Sequence, residues 1–285
     1  MRFRNVSPQM RIAVITRLPA VLQGITPIIH DCGHEVVGVV TTEGPRGRYG
    51  EVPLALLADA RPAGVDLLVA ANSKRLAPLL SALEPDLAVC GGFPVRMPAD
   101  AIGVPGLGIL NGHPAPLPRY RGPNPIGWAL RNGDPEIGFT FHFMDVEFDT
   151  GPVVLQGAAP LADAERREDV AGVLFRLWRT LLPEALVRVE GGERGVSQDP
   201  EDGSYAGFFE PEYAEIDWTR PAEEVQRQVR AWWLAAARDG IHGPLTELDG
   251  ERVRVLRSRL DDRDGGVRVT CGDGRPLWVV ETAPA

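Results

Sequence analysis

The chain has 285 residues, of which 44% are apolar and 24% charged, a composition typical of a folded globular protein with room for two domains. It contains no run of about eighteen apolar residues, and its N-terminal MRFRNVSPQM lacks the apolar core of a secretion signal, so we expect a cytoplasmic protein without a membrane span. The formal charge of −9 argues against a broad nucleic-acid surface, and three widely spaced cysteines argue against a disulfide framework or a zinc site.

The first 111 residues alternate between short apolar runs and helical stretches. Apolar runs at 11–16 and 35–42 enclose a helical stretch, which is the spacing of a βαβ unit. This alternation predicts an α/β fold, a Rossmann-like, mostly parallel sheet with helices on both faces. No glycine-rich phosphate loop follows the first strand, which disfavours a nucleotide cofactor there. The further predicted helices cover 50–61 and 74–85, and the further strands cover 65–70, 86–93 and 107–111.

The pattern changes in the second half of the chain. Strands are predicted over 137–144 and 151–157, and a long helix over 167–192. A turn-rich stretch follows, and beyond it a helix with Thr219 as its cap precedes two hairpin signals. We therefore predict three parts: a large α/β domain over 1–192, a linker over 193–215, and a small, mostly β, OB-like domain over 216–285.

The loop NGHPAPLPRYRG at 111–122 lies between a predicted strand and a predicted helix and carries the chemistry. Asn111 offers an amide N–H for an oxyanion, and His113 is a side chain that titrates near neutral pH. On an extended backbone the two point to the same side. Asp149, in the turn FDTG, is the acid best placed to orient His113. Because Cys90 lies inside the apolar run LAVC, no nucleophile is evident, and the set predicts acyl-type transfer by direct attack of an incoming nucleophile.

Each of these residues also has a plainer interpretation. An Asn-x-His at a strand end is commonly a turn residue beside a surface histidine, and Asp-Thr-Gly is good turn chemistry. The run Tyr120–Gly122 is compatible with a solvated loop. His142 alternates with phenylalanines in the predicted strand FTFHF, which favours packing or contact with a neighbouring strand.

Four motifs in order resemble the folate-dependent formyltransferase family. They are N-G-H-P-A-P-L-P-R-Y-R-G at 111–122, P-x-x-W-A-L-x-N-G-D at 125–134, G-x-T-x-H-x-M-D at 138–145 and D-T-G at 149–151. The stretch IDWTRPAEEVQRQVRA at 216–231 is similar to the start of the C-terminal domain of methionyl-tRNA formyltransferases. The resemblance therefore assigns residues 1–192 as the catalytic domain.

The resemblance implies an enzyme that moves a formyl group from 10-formyltetrahydrofolate to an amine, through a tetrahedral intermediate and without a metal. The family's catalytic residues correspond to Asn111, His113 and Asp149. Tyr120, Arg121 and Gly122 are expected to bind the acceptor. The implied folate-binding residues are Phe93, Pro94, Val95, Arg96, Met97, Asp145, Val146, Glu147 and Gly151.

The amine acceptor is predicted from charge. The segment EGPRGRYGE is short where methionyl-tRNA formyltransferases carry a longer basic insertion, and no basic segment lies near residue 285. Acids and bases are nearly balanced in the C-terminal domain, whereas a polyanion needs many Lys and Arg residues. We therefore expect a small-molecule amine, such as an aminosugar nucleotide or a hydroxyornithine-like amine, with methionyl-tRNA as the alternative and formyltetrahydrofolate hydrolysis below it. The sequence does not specify an oligomeric state.

Overall fold

A computed structural model describes residues 9–43, 54–161, 164–235 and 242–285. The predicted helix over 50–61 and the segment EGPRGRYGE therefore lie partly outside the described residues. The N-terminal part is built on a seven-stranded sheet in the order β3-β2-β1-β4-β5-β6-β7. Its strands are β1 (Arg11–Ile15), β2 (Glu35–Thr42), β3 (Leu67–Ala70), β4 (Leu87–Gly91), β5 (Ile109–His113), β6 (Glu136–Phe143) and β7 (Val153–Pro160).

The sheet is mostly parallel, as the alternation of strands and helices predicts. Strands β1 to β5 pair in parallel, whereas β6 runs antiparallel to both β5 and β7. Helices interleave with the strands: α1 (Pro19–Asp31), α2 (Leu54–Ala60), α3 (Leu76–Leu83), α4 (Ala99–Ile102), α5 (Pro125–Asn132) and α6 (Arg167–Glu190).

The side chains of the buried strands point alternately to the two faces of the sheet and pack into two separate hydrophobic cores. Ile12 and Val14 of β1 pack into the core beneath α1 and α6, while Ala13 and Ile15 pack into the core beneath α3 and α4. Successive strand residues point to opposite faces, so an uninterrupted apolar run is what a sheet covered by helices on both faces requires. The predicted α/β fold is therefore confirmed.

The C-terminal part is a four-stranded antiparallel sheet in the order β10-β11-β9-β8, packed against one helix. Its elements are α7 (Ala222–Ala231), β8 (Leu245–Leu248), β9 (Glu251–Arg259), β10 (Val267–Thr270) and β11 (Pro276–Pro284). Asp249 and Gly250, both with positive φ, form the predicted hairpin turn between β8 and β9. The predicted cap of α7 is wrong, because Thr219 donates to Asp217 and the N–H of Ala222 is bound by Asp273 instead.

The stretch predicted as a linker runs along the N-terminal part. Val196 pairs with Val153 of β7, and Tyr205 forms a parallel bridge with Arg121 of the motif loop. We call residues 196–206 the strap. The division into three domains itself stays a prediction. Within the four described ranges, no helix has the length and apolar character needed to cross a membrane.

Candidate active site

The site lies where the sheet changes from parallel to antiparallel pairing. Asn111 and His113 alternate along β5 and are both buried, and Asn111 stands directly opposite His142 of β6. Gly112, between them, faces the helix side of the sheet, where an added Cβ would overlap the ring of Trp178. The Asn-Gly-His sequence therefore places two polar side chains on one face while α6 packs closely against the other.

The amide of Asn111 is oriented by a histidine. His142 Nδ1 lies 2.9 Å from the carbonyl oxygen of Phe143, which can only accept, so Nδ1 carries the proton and Nε2 is left as an acceptor. Asn111 Nδ2 donates to that Nε2 at 3.0 Å and lies 3.5 Å from Asp149 Oδ1. His142 is 1% exposed and belongs to the site. It contacts the neighbouring strand, which is one of the two roles that the sequence suggested for it.

His113 bridges the motif loop and Asp149. Its Nε2 donates to the carbonyl oxygen of Tyr120 at 2.9 Å, which leaves Nδ1 as the basic atom, 3.5 Å from Asp149 Oδ1. Burial lowers the pKa of His113 below its ordinary 6.5, against the opposing influence of the Asp149 carboxylate and the Tyr120 carbonyl. The imidazole is therefore neutral at pH 7 and able to accept a proton at Nδ1.

Asp149 is held as a carboxylate in a left-handed turn. Its φ is 57°, and its Oδ2 accepts the Gly122 N–H at 2.8 Å. Burial alone would raise the pKa of Asp149, but His113, His142 and the Gly122 N–H outweigh burial and lower that pKa to about 2. Two residues later only glycine fits, because a Cβ on Gly151 would overlap the carbonyl oxygen of Phe143.

The predicted acceptor-binding residues are tied into the scaffold. The Tyr120 hydroxyl donates to Asp134 at 2.9 Å and accepts from Asn132 at 2.9 Å, and its ring is buried. Arg121 is half-buried and donates to Gln198 through two nitrogens. Gly122 contributes its N–H to Asp149. Their contacts hold the motif loop in place and support the Asp149 carboxylate, and acceptor binding by them stays a prediction.

The two predicted folate segments lie side by side. Arg96 donates from Nε to the Val146 carbonyl at 2.6 Å and pairs with Glu147. Asp145 organises the loop by accepting the Thr150 hydroxyl at 2.6 Å and the Glu147 N–H at 3.0 Å. Phe93, Pro94 and Val95 are half-buried, whereas Met97 is 2% exposed and packs in the core behind them.

Sequence reasoning missed the strap entirely. Gln198 contacts both the Asp149 loop and the motif loop, and the Ser204 hydroxyl accepts the Tyr120 N–H at 2.9 Å. Both residues lie in a turn-rich stretch without hydrophobic periodicity. Their importance becomes visible only in the structure, where the chain passes back along the site.

Cys90 is buried, as expected. Burial, and to a smaller extent the charge of Asp149, raise the pKa of its thiol. Among the described residues no cluster of His, Cys, Asp and Glu could hold a metal ion.

Known proteins resemble this chain in sequence and in fold. Methionyl-tRNA formyltransferase from Roseiflexus sp. (strain RS-1) is 31% identical over 284 residues, covering 97% of this chain and 80% of that protein. Its namesake from Synechococcus sp. (strain JA-3-3Ab) is 34% identical over 232 residues, covering 79% of this chain and 69% of the relative. The solved structure of HypX from Aquifex aeolicus in complex with tetrahydrofolic acid has the same fold, with a TM-score of 0.70 at 18% identity over 96% of this chain and 44% of that one. Since the sequence profile described as Formyl transferase also matches residues 10–186, the chain belongs to the formyl transferase family.

Proposed function

We propose that the enzyme transfers a formyl group from 10-formyltetrahydrofolate to the amino group of methionyl-tRNA. The observation that carries the transfer chemistry is the position of Asp149, which lies 3.5 Å from both Asn111 Nδ2 and His113 Nδ1 at the end of β5. The acceptor rests on the relatives of 31% and 34% identity, which are named methionyl-tRNA formyltransferases.

The sequence-based expectation of a small-molecule amine is wrong on the evidence of these relatives. That expectation relied on the net charge of −9 and on the balance of acids and bases in the C-terminal part. A total charge does not report where the unpaired charges lie. The structure separates paired from unpaired arginines, and this distinction is the one relevant to a polyanionic acceptor.

Unpaired cations do occur next to the catalytic part. A cleft of about 270 Å³ between α5 and α7 is lined by Arg227 and Arg230, together with Asp134 and Glu223. Asp134 already accepts from Tyr120, and Glu223 already binds Arg275. No ion pair joins Arg227 or Arg230 to any acid within the described ranges. The cleft therefore holds two arginines that form no ion pair with an acid of the described residues, and they are suited to a phosphate-rich acceptor.

The residues around Asp149 fit a folate donor, which would supply the formyl group as an amide of its N10. The segment 93–97 and the loop 145–151 form adjoining walls, and Val146 and Phe148 expose apolar surface on the loop. Half-buried apolar groups beside backbone amides and carbonyls are suited to a planar heterocycle with polar edges. HypX, a protein of the same fold, was solved with tetrahydrofolic acid.

The proposed mechanism follows from the atoms that remain available. Asn111 Nδ2 donates to the oxygen that becomes negative when the amine attacks the formyl carbon. His113 accepts the proton of the attacking amine at Nδ1, because Nε2 is committed to Tyr120. The carboxylate of Asp149 then stabilises the imidazolium, and the proton passes on to the folate nitrogen as the carbon–nitrogen bond breaks. His113 in its charged form also stabilises the oxyanion.

The direct experiment is formylation of charged initiator methionyl-tRNA by the purified protein with 10-formyltetrahydrofolate. We expect formyl-methionyl-tRNA as the product, and a loss of about a hundredfold or more in turnover for Asn111→Ala. Asp202→Asn, an exposed acid in the strap, is the matched control and should keep its activity. Transfer to an aminosugar nucleotide with none to methionyl-tRNA would refute the proposed acceptor while leaving the transfer chemistry intact.

A further inference from the structure

One side chain outside the catalytic motifs joins the two loops that hold the reacting groups. Gln198 Nε2 donates to the carbonyl oxygens of Asp149 at 2.9 Å and Gly151 at 2.8 Å. Its Oε1 accepts from Arg121 Nε at 3.0 Å and Nη2 at 2.8 Å. Both donors and both acceptor positions of the amide are therefore used, two on the Asp149 loop and two on the motif loop.

The backbone around Gln198 is anchored on either side of it. Val196 exchanges two hydrogen bonds of 2.8 Å with Val153 of β7. Further along, the Arg121 N–H donates to the Ser204 carbonyl at 2.9 Å, and the Ala206 N–H donates to the Arg121 carbonyl at 2.6 Å. The strap is thus fixed to β7 at one end and to the motif loop at the other, with Gln198 spanning the gap between them.

The contacts of Gln198 restrain the backbone of Asp149, which has an unfavourable conformation. Asp149 has a φ of 57°, a left-handed conformation that non-glycine residues adopt at a cost and that the surroundings must enforce. Its side chain has to meet His113 Nδ1 and the Gly122 N–H at the same time. Fixing the carbonyls of Asp149 and Gly151 sets the orientation of the peptides on both sides of the turn.

We propose that Gln198 is a positioning residue for formyl transfer, which clamps the Asp149 turn to the motif loop so that the carboxylate stays beside His113. The proposal rests on the proposed transfer chemistry at Asn111, His113 and Asp149, but not on the identity of the acceptor. Gln198 contacts none of these three side chains. Its effect is therefore exerted through the backbone of Asp149 and through Arg121.

The kinetic test uses two variants of Gln198 in the full chain. Gln198→Ala removes all four hydrogen bonds, and Gln198→Glu keeps an acceptor for Arg121 but has no N–H for the carbonyls of Asp149 and Gly151. We expect kcat to fall about tenfold to a hundredfold in both, because small displacements of catalytic groups have effects of that size. Glu201→Gln, an exposed side chain three residues along the strap, is the control that should retain wild-type kcat. Wild-type kcat in Gln198→Glu would overturn the proposal.

A second readout needs no acceptor. The titratable groups facing Asp149 are His113, His142 and Cys90, and the titration of the His113 ring can be followed by NMR. Since the carboxylate raises the pKa of His113, we expect its midpoint in Gln198→Glu to move down by at least half of the change that Asp149→Asn produces. A midpoint equal to that of the wild type in a folded variant would refute the clamp. Failure of the wild type to formylate methionyl-tRNA would instead refute the proposed acceptor.

Discussion

At the scale of single residues, hydrogen bonds to neighbouring groups decide which atom of each candidate catalytic side chain is left for the proposed reaction. The Tyr120 carbonyl takes Nε2 of His113, so the reaction is left with Nδ1. The Phe143 carbonyl fixes the tautomer of His142, and His142 in turn fixes which end of the Asn111 amide points toward Asp149. Backbone carbonyls thereby set the proton positions of a site whose three reacting side chains are polar and buried.

The first prediction concerns the charge state of His113. Burial lowers its pKa, so we expect the His113 ring to titrate with a midpoint below 6.5 in the free enzyme. NMR of the ring protons over pH 4 to 8 measures this midpoint, with His113→Asn used to assign the signal. A midpoint above 7 would mean that the imidazole is mostly charged at neutral pH, and the proposed role of Nδ1 as a proton acceptor would have to be abandoned.

The second prediction concerns stability in acid. The folded-state pKa of Asp149 is lowered from 3.8 to about 2, so its contribution is present above pH 3.8 and is lost as the pH falls through 2. The shift corresponds to about 2 kcal/mol of unfolding free energy. Asp149→Asn tolerates the left-handed backbone and should lack this part of the pH dependence. Urea unfolding at pH 2, 3, 4 and 6 gives the free energy of unfolding of both proteins. If that free energy changed equally with pH in both, the lowered pKa would not belong to Asp149.

At the scale of elements, the catalytic loops depend on glycines that let two backbones approach each other. Gly151 turns the chain from the Asp149 loop into β7, close against the end of β6. A side chain there would meet a backbone carbonyl, which cannot move aside as a flexible side chain could. The spacing between Asp149 and β7 is therefore as constrained as the catalytic side chain itself.

Gly151→Ala should accordingly be a damaging substitution. We expect a destabilisation of about 1–3 kcal/mol, together with loss of activity as the Asp149 turn is displaced. Gly106→Ala is the matched control, since an added Cβ there has open space around it and the backbone is not in the left-handed region. Its effect on stability should stay within about 1 kcal/mol. Thermal unfolding gives the melting temperatures of both variants. Similar values would show that a side chain at residue 151 does not clash with the Phe143 carbonyl.

The elements also explain how far sequence reasoning reaches. Strands β1, β2, β4 and β5 are predictable because their residues must face two cores, which leaves nearly unbroken apolar runs. Asn111 and Asp149 are predictable as partners, since β6 runs antiparallel to β5 and ends opposite Leu110, so that the loop after β6 begins beside Asn111. Gln198 is not, because its partners lie 47 to 77 residues away and its own segment has no periodic pattern. Tyr120 shows a further limit. Its position in the sequence does not indicate that its hydroxyl is hydrogen-bonded to Asp134 and Asn132.

At the scale of the whole molecule, the two parts are joined by charge as well as by packing. Arg259 of β9 is 7% exposed and forms a double hydrogen bond with Glu165, just before α6, at 2.6 and 3.0 Å. Several other arginines of the C-terminal part are also paired, including Arg252 with Glu215 and Arg257 with Asp264. These arginines are therefore compensated, whereas Arg227 and Arg230 of the cleft, like Arg254 and Arg268 of the small sheet, form no ion pair within the described residues.

The prediction at this scale is that the cleft contributes to tRNA binding. Arg227→Gln should weaken binding of methionyl-tRNA and reduce the slope of log affinity against log salt by about one. Arg252→Gln removes an arginine that is paired with Glu215, neither of which lines the cleft, and should leave that slope unchanged. Filter binding or fluorescence titration between 50 and 300 mM salt gives both slopes. Identical slopes for wild type and Arg227→Gln would exclude the cleft from the tRNA contact.

The strap also limits how this enzyme can be recombined. The stretch that matches the family profile ends at residue 186, twelve positions before Gln198. A chimera that exchanged only residues 10–186 with a relative would inherit the three reacting side chains together with a clamp evolved for another loop. Crossover points placed after residue 206, where the strap has made its last bond to Arg121, would keep loop and clamp together. The natural unit of exchange in this enzyme is therefore longer than the segment by which its family is recognised.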